Sequence, residues 1–375
     1  MKKIKIGLLG FGYIGRAHAS AVRDIPIYYD QQEFRAEITH VCTARKETAE
    51  KAASILGAVP VTDFRAITEN PDIDAVDIAS PNDKHLAPLL SALANGKHIY
   101  CDKPLCANEK EAMQVAEALK SYSGTSQMTF QYRFFPASIR AKQLIEEGRL
   151  GDILEFHGAF PHSGSADPKT PLKWKLSGAA GGGVAADLGS HIFDLLDWLL
   201  GGFDSLSAAT RIVYPERPSP DDPGKMVPVD AEDSLVTLVR LKNGALGTVS
   251  ASKVATGTED GITFTIHGTK GAIMLKPMDL DRLYFYDNTA PGAPFGGLRG
   301  WTAIDCGQRF EKPAVFPASK AVTGWVRGHI HCYYSFLHAA AAGIPADPPL
   351  EQGVRIQNLL AKIKNSAADG SWVRL

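Results

Sequence analysis

Apolar runs of strand length at residues 4–9, 36–42, 75–78, 97–100 and 126–130 alternate with stretches at 14–23, 47–56, 83–94 and 109–121. In the second set the apolar residues recur at helical spacing. Such alternation predicts a parallel, doubly wound sheet with helices on its faces. Asn82 stands before one of these helices and Asn108, with Glu111 three residues on, before the next, both as start signals. The aromatic segment 24–35 is longer than an ordinary turn and is predicted as a surface insertion.

After about Phe135 the pattern changes. A helix at 139–147 stops at Gly148, a strand follows at 152–160, and a Gly/Ala/Ser-rich stretch leads into a well-patterned helix at 186–200. Period-two alternation then marks strands at 206–213, 234–241, 246–253, 262–267, 272–275 and 283–286, with Asn243-Gly244 as a hairpin turn. These elements predict an α+β layer: an open, mostly antiparallel sheet with helices on one face. Residues 215–228 and 290–317, rich in Pro and Gly, are predicted as long loops. Two domains are expected, 1–134 and 135–375.

Composition narrows the function class. The 375 residues hold 40 basic and 41 acidic side chains, a net charge of −1, which leaves no electrostatic footprint for nucleic acid or an anionic membrane. No segment approaches the ~20 apolar residues of a membrane span. Lys2 and Lys3 precede an apolar run that is short, broken by glycines and without a small-residue cleavage site, so a secretory leader is not expected. The 5 cysteines are odd in number and lack C-x-x-C spacing, which favours thiols in a reducing cytoplasm over disulfides or a zinc site.

Three motifs carry candidate chemistry. The first strand ends in Gly10-Phe11-Gly12-Tyr13-Ile14-Gly15, a G-x-G-x-x-G turn opening a helix. Gly10 suits the tight turn, Gly12 a close approach of a pyrophosphate, and Gly15 close packing of helix on strand, with the helix N–H groups facing phosphates. Tyr100-Cys101-Asp102-Lys103-Pro104 places a lysine at the carboxyl end of a parallel strand, where such sheets bind ligands. In the helix at 186–200, Asp187, His191 and Asp194 share one stripe at ~100° per residue. That puts a carboxylate and an imidazole on adjacent turns, an arrangement suited to a general base near neutrality.

With these motifs, the chain resembles the glucose-fructose oxidoreductase / inositol dehydrogenase (Gfo/Idh/MocA) family of NAD(P)-dependent oxidoreductases. The likeness covers nearly the whole chain: the glycine turn, Ser80-Pro81-Asn82 with His85, the lysine-proline turn, the Gly-rich approach to D-x-x-x-H, and an ending with Ile344-Pro345-Ala346-Asp347, Gly353 and Ser366. It implies a Rossmann domain followed by an open-sheet domain that serves substrate binding and assembly into a homodimer or homotetramer. It implies catalysis by Lys103, Asp187 and His191, and cofactor contacts at Gly10, Phe11, Gly12, Tyr13, Ile14, Ser80, Pro81, Asn82, His85, Asp102 and Lys103. Asp102 stands where the family usually carries Glu, which keeps the charge.

Cofactor choice turns on the end of the second strand. An acidic residue there reads an unphosphorylated ribose, and an Arg accommodates a 2′-phosphate. This chain reads Val41-Cys42-Thr43-Ala44-Arg45-Lys46, with no carboxylate before Glu47, so Thr43 and Arg45 are candidate contacts and NADP is favoured over NAD. Candidate substrate residues are Tyr132 and Arg133, expected at the domain interface, and His162 and Trp174, with His157 and Lys175, in the segment before the glycine run. Trp325, Arg327, His329 and His331 are read as core or interface residues. The His-x-His pair lacks partners at ligand spacing, so no metal is expected. The leading function is hydride transfer between the nicotinamide and a secondary alcohol or ketone of a sugar, polyol or glycoside. The alternatives are a glycoside hydrolase using bound NAD transiently and a non-catalytic dinucleotide sensor.

Overall fold

A computed structural model of the chain describes residues 1–30, 33–222, 224–307 and 309–375. They form two compact units: 1–131, 310–318 and 325–358 make the first, and 132–309, 319–324 and 359–375 the second.

The first unit is built on a six-stranded parallel sheet. Its elements run β1 (Lys2–Leu9), α1 (Tyr13–Tyr28), β2 (Phe34–Cys42), α2 (Lys46–Leu56), β3 (Val59–Val61), α3 (Arg65–Thr68), β4 (Ala75–Ile78), α4 (Leu86–Ala94), β5 (His98–Asp102), α5 (Glu109–Leu119) and β6 (Ser126–Thr129). The strand order β3-β2-β1-β4-β5-β6 reverses direction between β1 and β4, the switch point at which doubly wound sheets bind ligands. Asn108 caps α5 as predicted, accepting from the Glu111 amide at 3.0 Å while the Glu111 carboxylate accepts from the Ala107 amide at 3.1 Å. Asn82 does not cap a helix: it opens a single 3₁₀ turn, and α4 begins only at Leu86.

The second unit holds α6 (Pro136–Glu146), β7 (Ile153–Pro161), α7 (Ser190–Leu200) and β8 (Phe203–Arg211), then the ribbon β9 (Glu216–Pro218) with β10 (Met226–Pro228). There follow β11 (Ser234–Leu241), β12 (Leu246–Ser252), β13 (Thr263–Gly268), β14 (Gly271–Leu275), β15 (Arg282–Asp287) and β16 (Trp301–Asp305). The chain ends with α8 (Trp325–Ala342), α9 (Leu350–Asp369) and β17 (Val373–Arg374). The nine-stranded sheet has order β16-β15-β14-β13-β7-β12-β11-β8-β17 and is antiparallel except where β7 meets β12. Alternation in β11 buries Leu235, Thr237, Val239 and Leu241 and exposes Val236 and Leu238. On the buried face α7 lies directly on β7, since a Cβ at Gly158 would stand 2.5 Å from Leu196 Cδ1.

The single boundary expected after residue 134 is replaced by an interleaved division, and α8 explains it. Strands β4 and β6 are buried along their whole length yet carry Asp77 and Gln127. A buried polar group needs a partner, and α8 supplies both: Tyr333 donates to Asp77 Oδ2 at 3.0 Å, and Gln127 Nε2 donates to the Cys332 carbonyl at 2.8 Å. The expected insertion at 24–35 is also corrected. Helix α1 continues to Tyr28, and Tyr29 is buried, stacked on Tyr334 at 3.7 Å and accepting from Arg327 Nη1 at 2.8 Å. The regions expected as loops at 215–228 and 290–317 contain β9, β10 and β16.

Histidines in the first unit tie its stability to pH. His329 is buried, and among the described residues neither ring nitrogen has a hydrogen-bond partner; burial, with the His18 imidazolium 6.0 Å away, holds its pKa well below the usual value. Burial pulls His18 down as well, but the Asp77 carboxylate at 2.9 Å outweighs it and the net shift is upward. His18 therefore contributes stability that is already complete below the unfolded histidine pKa, near 6.5, and fades as pH rises. His329, bound neutral, loses stability on acidification: the unfolded chain takes a proton that the folded one refuses. Below pH ~6.5 His329 should cost up to about 1.4 kcal/mol of stability per pH unit. Denaturant titrations from pH 7 to 5 should show that slope, and His329→Leu should flatten it by about one proton. An unchanged slope in the variant would refute the assignment.

Candidate active site

In the first unit the glycine turn shows which glycine does what. Gly10 takes φ +99°, its amide donates to the Cys42 carbonyl at 2.9 Å, and a Cβ there would stand 2.6 Å from Ala79 O. A Cβ at Gly15 would stand 2.2 Å from Gly10 O. Both positions are closed to other residues by the protein itself. Gly12 is different: it is the N-cap of the 16-residue helix α1, and nothing lies within 4 Å of where its Cβ would be. The open side of this turn faces unsatisfied first-turn N–H groups, so it fits a dinucleotide pyrophosphate. Beside it, Phe11 lies under the Arg16 guanidinium at 4.6 Å, Ile14 is half-buried, and the exposed Tyr13 ring stands 5.5 Å from Trp325.

The other first-unit candidates divide by their partners. His85 is fully buried, with Nε2 2.8 Å from Ser80 O and Nδ1 3.2 Å from Leu105 O. It links the loops after β4 and β5, so any influence on a cofactor passes through those loops. Pro81 and the buried Asn82 form the turn between Ser80 and His85. Thr43 Oγ1 donates to Arg45 O at 3.0 Å and lies 2.6 Å from Thr48 Oγ1, so that hydroxyl shapes the start of α2 and is engaged with it. Arg45, the exposed N-cap residue of α2, projects its side chain from that start. Asp102 ends β5 half-buried, and Lys103 follows it, buried, joined to Pro104 by a cis peptide.

In the second unit the D-x-x-x-H segment does not begin as a regular α-helix. Ala185–Gly189 form a π-helical turn and α7 starts at Ser190, so the uniform 100° stripe drawn from the sequence does not hold across Asp187 and His191. The glycine run before it admits another chain segment. A Cβ at Gly183, φ +111°, would collide with the Glu232 carboxylate, and Glu232 accepts from the Ala185 backbone amide at 3.0 Å and, by its carbonyl, from the Val184 amide at 2.8 Å.

Asp187 has partners that the sequence did not reveal. Lys175 Nζ lies 3.0 Å from its Oδ1 and Lys253 Nζ 3.3 Å from its Oδ2. His191 is buried, with the Tyr132 ring edge-on at 5.0 Å and Phe160 at 6.1 Å. Tyr132, expected to touch substrate, is itself buried and donates its hydroxyl to Asp260 Oδ1 at 2.7 Å. Burial pushes the Asp260 carboxyl above its usual range, partly offset by Tyr132 and by His162. Arg133, the second such candidate, is committed elsewhere: Nε and Nη2 reach the two oxygens of buried Asp194 at 2.7 and 2.5 Å. Asp194 thus belongs to an ion pair of the core. His162 accepts from the Gly164 amide at 2.7 Å, and exposed Trp174 lies under the Lys175 ammonium at 5.8 Å. His157 points away from this cluster, on the outer sheet face, with Thr248 at 2.9 Å and Glu155 at 3.1 Å. Among the described residues no group of three or more His, Cys, Asp or Glu side chains is placed to hold a metal.

Comparisons with known proteins cover both units. Residues 4–130 match a family described as an oxidoreductase family with an NAD-binding Rossmann fold, and residues 138–274 match the GFO/IDH/MocA C-terminal domain. Levoglucosan dehydrogenase of Pseudarthrobacter phenanthrenivorans is 32% identical over 387 residues, covering 100% of this chain and 98% of the relative. Inositol 2-dehydrogenase of Rhizobium meliloti is 31% identical over 274 residues, 72% of this chain and 74% of that one. A solved structure of levoglucosan dehydrogenase in complex with NADH and levoglucosan superposes with a TM-score of 0.94 at 32% identity, covering 100% of this chain and 99% of that one.

Two outcomes test this geometry. Gly12→Val should fold normally and weaken dinucleotide binding by about 1–3 kcal/mol or more, the range of steric overpacking, while Gly15→Val should disrupt the turn and lower the melting temperature. Fluorescence titration and thermal melts separate the two; equal behaviour would contradict the different surroundings of these glycines. Arg133→Met should cost about 3–5 kcal/mol of stability by stranding buried Asp194, measured in denaturant.

Proposed function

The chain belongs to the Gfo/Idh/MocA family of oxidoreductases, and we propose that it transfers hydride between a nicotinamide dinucleotide and a secondary alcohol of a sugar or polyol. Full-length correspondence with levoglucosan dehydrogenase carries this reading. When bound, the nicotinamide supplies the hydride acceptor or donor; the chain supplies everything else. His191 serves as the base that takes the hydroxyl proton, since hydride leaves a carbon only as its oxygen loses a proton and a neutral imidazole suits pH 7. Lys103 hydrogen-bonds the same oxygen and favours the negative charge that develops there. Asp187 is the carboxylate that completes the set, keeping the imidazole and the substrate hydroxyls in register. Tyr132 acts through its ring on His191, and Trp174 and His162 are candidate substrate contacts.

The lean toward NADP rests on Arg45 and Lys46, and it finds no support in the comparisons: the matching family description names NAD, and the levoglucosan dehydrogenase structure holds NADH. NAD is therefore the first cofactor to test. Val236, Leu238, Leu246 and Leu154 lie exposed on the outer face of the nine-stranded sheet, which supports assembly through that face into a homodimer or homotetramer. All five cysteines are buried thiols, which suits a reducing cytoplasm, and among the described residues no helix is long and apolar enough to cross a membrane.

The deciding experiment follows nicotinamide absorbance with NAD and NADP against levoglucosan, inositols, xylose, glucose and the matching ketoses. Net reduction with a polyol is expected; release of a free sugar from a glycoside without net reduction would favour the transient-NAD hydrolase, and binding without turnover a sensor. In the active pair, His191→Ala should lower kcat by ~10²–10⁴ with cofactor binding retained. Lys103→Met should lower kcat and raise KM together. Arg45→Ala should weaken NADP by ~1.5–3 kcal/mol and leave NAD unchanged if it pairs with a 2′-phosphate; equal losses would mean stacking on adenine.

A further inference from the structure

We propose that Lys253 is a positioning residue of the reaction: it holds the Asp187 carboxylate ionised and in place. The inference rests on the dehydrogenase reading for the role of Asp187 and on the structure for the contact. Asp187 lies between two ammonium groups that differ in kind. The Lys175 side chain is 49% exposed, so water screens its pull; the Lys253 side chain is 6% exposed. Lys253 is also fixed at both ends. Its amide donates to Asp233 O and its carbonyl accepts from the Ser165 amide, both at 2.8 Å, while Nζ donates to the Lys175 carbonyl at 2.9 Å. One buried cation thereby joins the end of β12, the loop carrying Trp174 and Lys175, and the π-helical turn carrying Asp187. A buried ammonium without a carboxylate is costly, and so is the reverse, so each fixes the charge of the other.

The remaining charged groups around Asp187 fit this role. Glu232 is engaged with the Ala185 amide at 3.0 Å, and Lys175 reaches the carboxylate from the solvent side. An ionised, immobile carboxylate accepts hydrogen bonds from a sugar hydroxyl or an imidazolium and does not have to be recruited at each turnover.

Lys253→Met and Lys253→Arg, each made in the natural chain and in Asp187→Asn, test the proposal. Lys253→Met should lower kcat about tenfold to a hundredfold, the scale of a small misplacement in a reacting set, with KM changed far less. Lys253→Arg should restore most of it, and in Asp187→Asn the Lys253→Met change should cost nothing further. Equal losses in both backgrounds, or no loss of kcat, would overturn the role. If Lys253→Met fails to fold, Lys253→Gln takes its place as a polar but uncharged variant. Urea midpoints supply a readout that needs no turnover. At pH 7 Lys253→Gln should lower the midpoint in the natural chain but not in Asp187→Asn. The absence of that coupling would refute the pairing itself, whereas an inactive natural chain with the coupling intact would refute only the dehydrogenase reading.

Discussion

The Asp187 carboxylate lies 3.0 Å from one ammonium and 3.3 Å from another, and three segments distant in sequence, around residues 175, 187 and 253, meet at it. Mutual neutralisation allows a charged cluster to sit at the start of α7, where the π-helical turn leaves the polar side chains off the regular helical face. Glycine is required nearby for the same reason: Gly182 and Gly183 admit the Lys175 carbonyl and the Glu232 carboxylate where a Cβ would collide. His191 then follows on a helix that is pinned one turn further on by the Arg133–Asp194 pair and by Leu196 lying over Gly158. Site and fold of this unit are held by the same contacts.

The first unit solves a different problem, that of bringing backbone amides to an anionic ligand. Gly15 lets α1 close onto Gly10, and Gly12 leaves the helix start uncovered. His85 ties the loop after β4 to the loop after β5, so the segment bearing Lys103 is braced against the one bearing Ser80. Beneath them, α8 hydrogen-bonds Asp77 of β4 and the Gln127 amide of β6.

Much of this was legible in the sequence where the cause is local. Residues 234–241 alternate cleanly because one sheet face is buried, and β11 has those bounds. The glycine turn and the Asn108 cap are likewise fixed by near neighbours. Strand β3 was missed because three residues with a central proline carry no periodic signal, and β9 and β10 for similar reasons. For helix α8, nothing local in the sequence says which sheet it covers. Lys175 was noted only as a segment member and Lys253 not at all, since a lysine that ends a strand reads as solvated surface; the carboxylate that buries it lies 66 positions away, from 187 to 253. Tyr132 and Arg133 are the complementary case: polar residues after a strand suggest a ligand, and the structure gives them Asp260 and Asp194 as partners.

The central claim is that hydride passes directly between a carbinol carbon and the nicotinamide on this chain. Its most direct test uses levoglucosan and myo-inositol deuterated at their secondary carbons, incubated with enzyme and NAD, with the reduced nicotinamide and the water analysed by mass spectrometry and NMR. The account predicts that deuterium from the oxidised carbon appears in the reduced nicotinamide, on one face only. Deuterium released to water, or no reduced nicotinamide with either compound or the wider sugar panel, would contradict it.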